Sequence, residues 1–80
     1  MLITINKEVE AAIVFKSGLI FPVWIKIDTE KVKFEKVIYK WNEKKGEQKI
    51  IKFTLLSNKK IYELSFNTDT LKWHLEAIDE

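Results

Sequence analysis

The sequence predicts an all-β protein: a single small antiparallel meander of about six strands, barrel-like or two-layered, in one domain over residues 1–80. Three observations lead there. Apolar residues recur mostly at every second position, the spacing that lines one face of a half-buried strand. Short polar or glycine-containing stretches interrupt the alternation where hairpin turns are needed. At 80 residues the chain is long enough for one thin core and no more.

Val9, Ala11, Ile13 and Phe15 alternate with Glu10, Ala12, Val14 and Lys16, and Ser17-Gly18 offers a tight turn. A helix over Asn6 to Val14 is the rival reading there, because Lys7-Glu8-Val9-Glu10-Ala11-Ala12 are good helix formers behind a capping Asn6. Leu19, Phe21, Val23, Ile25 and Ile27 share the next face, with Pro22 and Trp24 opposite. Pro22 has no N–H to give a ladder, which asks for a sheet edge or an interruption near that strand's start. Asp28-Thr29-Glu30 then turns the chain.

Val32 and Phe34 resume the alternation until its phase shifts to Val37, Tyr39 and Trp41, so an extra residue near Glu35-Lys36 calls for a β-bulge. Asn42 to Gln48, with Gly46, reads as a polar hairpin loop, after which Ile51, Phe53 and Leu55 face inward. Ser57-Asn58-Lys59 turns again, Tyr62, Leu64 and Phe66 alternate, and Asn67 to Thr70 makes the last turn. Leu71, Trp73, Leu75 and Ala77 form the final strand. The expected core is Ile13, Phe15, Phe21, Ile25, Phe34, Val37, Phe53, Leu64, Trp73 and Leu75, with Trp41 and Trp73 packed inside a barrel-like closure.

Composition removes most routes to chemistry. Without cysteine there is no thiol nucleophile, disulfide or Cys-ligated zinc, and a lone His74 builds no histidine cluster. No glycine-rich phosphate loop occurs, so no enzyme, catalytic residue, metal or cofactor is expected. The longest apolar run, Leu19 to Ile25, falls far below the roughly 20 residues that span a bilayer. The N-terminal residues lack the pattern of a secretory signal, so no membrane association and a cytoplasmic location are expected.

Pro22, Ile25 and Ile27, Val32 and Phe34, Val37-Ile38 with Trp41, Tyr62-Glu63-Leu64 and Trp73-His74-Leu75 together set a pattern over about residues 10 to 78. In order and spacing it resembles an uncharacterised bacterial family of short all-β proteins, a domain of unknown function. Members often carry Arg where this chain has Lys, and Gly where it has Thr29. In actinobacteria such genes often stand beside those of error-prone DNA polymerases, so the resemblance implies a link to DNA repair and assigns no catalytic residue.

Charge is uneven. Residues 31–60 hold ten lysines and three acids, whereas residues 61–80 hold one lysine and five acids. Two functions follow as expectations. The first is a non-catalytic module that binds a protein partner or a second copy of itself, with Trp24 as the candidate contact because it lies opposite the apolar face. The second is weak, sequence-tolerant binding of single-stranded nucleic acid by an outward stripe of Lys33, Lys36, Lys40 and Lys52 on the 31–60 hairpin. All fourteen basic residues are lysine, so the planar fork of arginine is missing from any phosphate contact. His74 and Glu63 read as outward strand residues.

Overall fold

The computed structural model describes residues 1–80 as seven antiparallel strands with no helix. The strands are β1 (Leu2–Lys16), β2 (Leu19–Ile27), β3 (Glu30–Lys33), β4 (Lys36–Lys45), β5 (Gln48–Ser57), β6 (Lys60–Asn67) and β7 (Lys72–Asp79). They form one sheet in the order β3-β2-β1-β7-β6-β5-β4. The helix that residues 6–14 could have formed is absent: that segment is the middle of β1, whose ladders with β7 and β2 satisfy its backbone.

β1 carries the sheet round a corner. Leu2 to Val9 pair with β7, and from Glu10 onward the same strand pairs with β2. The change of partner folds a three-stranded half (the end of β1, β2 and β3) over a five-stranded half (the start of β1, β7, β6, β5 and β4). Ile25, in the middle of the three-stranded half, is fully buried in one cluster with Phe53, Leu55, Leu64 and Leu75 from the other. A sheet residue reaches zero exposure only when a second layer covers it, so the two halves share one core.

The expected barrel closure does not occur. β3 and β4, the two ends of the sheet, do not pair with each other. Phe34 donates its amide to Val23 O (3.0 Å), extending the β2–β3 ladder, and the next amide, Glu35, donates to Leu56 O (2.8 Å) on β5. The chain thus changes partners between two consecutive residues, where the sequence had suggested one strand with a bulge. This break accounts for seven strands in place of six. Ser57 Oγ donates to Lys33 O (2.6 Å) and Phe34 packs edge-on against Tyr62 (5.6 Å), which ties the corner down.

Hairpin turns sit where polar residues promised them. Ser17-Gly18 and Asn58-Lys59 have positive φ at both central residues, the two-residue geometry that matches strand twist. The Asn42–Gln48 loop is mostly strand: β4 runs on to Lys45, and only Gly46-Glu47 turn, Gly46 at φ 64. After β6, Asn67 Oδ1 accepts from the amides of Asp69 (2.9 Å) and Thr70 (3.1 Å).

Four register shifts reset which residues face inward: Thr4/Lys7, Ala12/Ile13, Val37/Tyr39 and Glu63/Leu64. The second lies opposite Pro22, which is the interruption its missing N–H required. Beyond it the β1–β2 hairpin runs past β3, and although Ile13 and Ile20 still pack against the core, Phe15, expected inside, is 74% exposed near the hairpin's tip. The third skips Ile38 and turns Tyr39 and Trp41 to the outer face, correcting the expectation that Trp41 packs inside. Ile25, Phe53, Leu64, Trp73 and Leu75 are buried as expected, and Ile13, Phe34 and Val37 pack half-buried against them.

Candidate interaction surfaces

The outer face of the five-stranded half is polar and internally paired. Trp41, Lys52, Ser65, His74 and Glu8 follow one another across β4, β5, β6, β7 and β1. The Glu63/Leu64 shift brings Glu76 in beside them, where its carboxylate accepts from Ser65 Oγ (2.8 Å) and lies 3.5 Å from Lys52 Nζ. Burial alone would push the Glu76 carboxyl up. The Ser65 hydroxyl, Lys52 and His74 outweigh it and hold the group below its ordinary value. Glu43 completes the set, 3.9 Å from Lys52 Nζ and accepting from the Trp41 indole (3.1 Å), while Tyr39 stacks on Trp41. His74 Nε2 meets Asn6 Oδ1 at 2.7 Å, and Lys72 pairs with Glu8.

Sequence alternation placed Glu63, His74 and Glu76 outward, but it held no sign of the partners that join Glu76 to Ser65 and Lys52, because those depend on the pairing register of neighbouring strands. The chemistry it supports is modest. The Ser65 hydroxyl is tied to Glu76 and the imidazole to Asn6, so base and hydroxyl are not joined as nucleophile and acceptor.

The outer face of the three-stranded half is built differently. Trp24 stands opposite Lys33, and Lys26 stands opposite Lys31, on the β2–β3 ladder. None of these three lysines is in an ion pair. Glu10 faces Lys26 from β1 without reaching it, and the neighbouring Asp28 is held by Lys7. The half-buried Trp24 has Lys31 Nζ over its ring at 4.3 Å from the centroid.

The lysines expected in one outward stripe are therefore divided. Lys33 lies on the three-stranded face; Lys36 and Lys52 lie on the five-stranded outer face, with Lys52 already between two carboxylates. The Ile38 bulge puts Lys40 on the core side opposite Phe53, its Nζ 5.7 Å from the ring centroids of both Phe21 and Phe53. The nearest thing to a basic cluster includes Lys26, which sequence reasoning left out because it belongs to a segment of net negative charge.

A third surface is the free side of β4. This ten-residue strand pairs only with β5, and Ile38 and Tyr39 on it are 45% and 63% exposed. No helix in the protein is long and apolar enough to cross a membrane.

Searches for relatives decide nothing further. Neither the family models, the curated proteins nor the solved structures contain a match to this chain.

Proposed function

We propose that this protein is a non-catalytic interaction module that binds another protein along the free side of β4. One observation carries the reading: an unpaired strand edge ten residues long, with large apolar side chains at Ile38 and Tyr39 left in solvent. Such an edge offers a row of main-chain donors and acceptors to an added strand, and exposed apolar residues beside it supply contact area. Trp24, the contact expected from sequence, lies on a different face and is not part of this surface. The reading also takes the protein to be bacterial and cytoplasmic, on the resemblance and on the cysteine-free composition.

Selection of extended peptides from a displayed random library against the immobilised protein tests it. Selected peptides are expected to bind with about micromolar Kd, to slow hydrogen exchange at β4 amides, and to lose binding to the Ile38→Asp/Tyr39→Asp variant. A library that yields no binder, or binders indifferent to that variant, rejects the reading. A doubled mass in sedimentation, abolished by the same variant, would make a second copy the occupant in place of a different protein.

A further inference from the structure

We propose that the outer face of the three-stranded half binds single-stranded nucleic acid, with a base on the Trp24 indole and phosphates at Lys26, Lys31 and Lys33. The site is separate from the β4 edge and does not depend on it.

Register makes the argument. Lys26 and Lys31 are direct cross-strand partners, and like charges so placed destabilise a sheet unless an anion lies between them. Four lysines have an acidic partner, Lys7, Lys52, Lys60 and Lys72, and several others have none; what sets this face apart is that three unpaired lysines share it with an indole. On this face Glu10 is the only carboxylate in register, and it makes no ion pair. One other like-charge pair, Lys44 opposite Lys49, lies at the β4–β5 tip between Glu43 and Glu47 and has no ring beside it in the ladder.

Trp24 decides the ligand class. The indole and the three ammonium stems form the corners of one patch, two residues apart along each strand, about 7 Å, and one strand apart across it. A free phosphate or a polyphosphate would use the lysines and ignore the ring; the Asp and Glu side chains of an acidic peptide bring no aromatic face to stack on it. Single-stranded nucleic acid offers an unpaired base beside each phosphate, the combination that aromatic-and-basic surfaces hold. Lys31 lies over the indole through a contact weaker than base stacking, so an arriving base displaces it and frees its ammonium for a phosphate. With lysine alone making the phosphate contacts, binding is weak and tolerant of sequence.

The test is a fluorescence-anisotropy titration of fluorescein-labelled dT12, its duplex with dA12, and poly-L-glutamate against the full chain. About three phosphate contacts give a slope near −2 for log affinity against log salt, so affinity for dT12 falls about 20-fold between 50 and 200 mM salt. Trp24→Leu keeps an apolar side chain in place and removes the π face; it should weaken dT12 about tenfold, whereas Trp24→Phe should stay within about threefold. Lys26→Gln and Lys33→Gln should each weaken binding and make the slope shallower by about 0.7. Ile38→Asp/Tyr39→Asp should leave dT12 affinity unchanged, which separates this site from the β4 edge. Undetectable binding at 20 mM salt, duplex or polyglutamate binding as tight as dT12, or indifference to Trp24→Leu would each overturn the proposal.

Discussion

Lys52 on one outer face of this sheet and the three lysines around Trp24 on the other stand in opposite settings. On the five-stranded half, Lys52 is 20% exposed between Glu43 and Glu76, and Glu76 is in turn hydrogen-bonded by Ser65. On the three-stranded half, Lys26, Lys31 and Lys33 surround an indole with no carboxylate in contact. A lysine held by acids contributes to the fold and has little attraction left for a ligand, whereas an unpaired one costs the fold a little and keeps its full field for an anion.

The largest effect should be common to both halves. Ile25 and Leu64 lie on opposite layers and are both fully buried. Replacing either with alanine is expected to cost about 2–5 kcal/mol. Chemical denaturation followed by tryptophan fluorescence and by circular dichroism should show one coincident transition for each variant. Separate transitions would mean two cores and would undo the comparison.

The faces should separate at the next level. Lys52→Gln leaves Glu76 half-buried with only Ser65 and His74 in support, and should lower stability by about 1 kcal/mol. Lys26→Gln removes one member of a like-charge pair and should raise stability by a few tenths of a kcal/mol. Urea titrations at low salt measure both, and equal signs would contradict the account.

How much of this was legible in the sequence depends on the bulges. Alternation located the strands, and two-residue turns fixed hairpin registers: with Asp28-Thr29 as the turn, Ile27 pairs with Glu30 and Lys26 must meet Lys31. Alternation failed past each register shift, because one extra residue exchanges the two faces of everything beyond it. That is why Tyr39 and Trp41 are outside and Lys40 is on the core side; Phe15 is in solvent for another reason, lying near the tip of a hairpin that outruns β3. The break at Phe34-Glu35 left a phase change that a bulge explains equally well, so the seventh strand was hidden. The Glu76 network joins β4, β5, β6 and β7 and depends on the register of three successive hairpins, one of them shifted at Glu63/Leu64, while the pairing that brings Asn6 to His74 joins strands distant in sequence.

A smaller effect is expected with pH. The Glu76 carboxyl is held below its ordinary value in the folded protein, so the unfolded chain takes up its proton first as pH falls. The stability Glu76 contributes is complete above the ordinary glutamate range and is lost as pH drops through its folded value. The contribution should be under about 1 kcal/mol, since the group is partly in solvent. Thermal melts at stepped pH should show a shallower acid-side decline for Glu76→Gln than for the wild type. Identical declines would remove Glu76 from the network.

The contrast between the faces is tested most directly by titrating inorganic phosphate into the isotopically labelled protein at low salt and following amide and indole resonances. Shifts should concentrate at Lys26, Lys31 and Lys33, stay small at the Trp24 indole, which phosphate alone does not engage, and leave Lys52 and Lys72 in place. Shifts spread evenly over both faces, or centred on Lys52 and Lys72, would contradict the claim that one face keeps its lysines free for an anion.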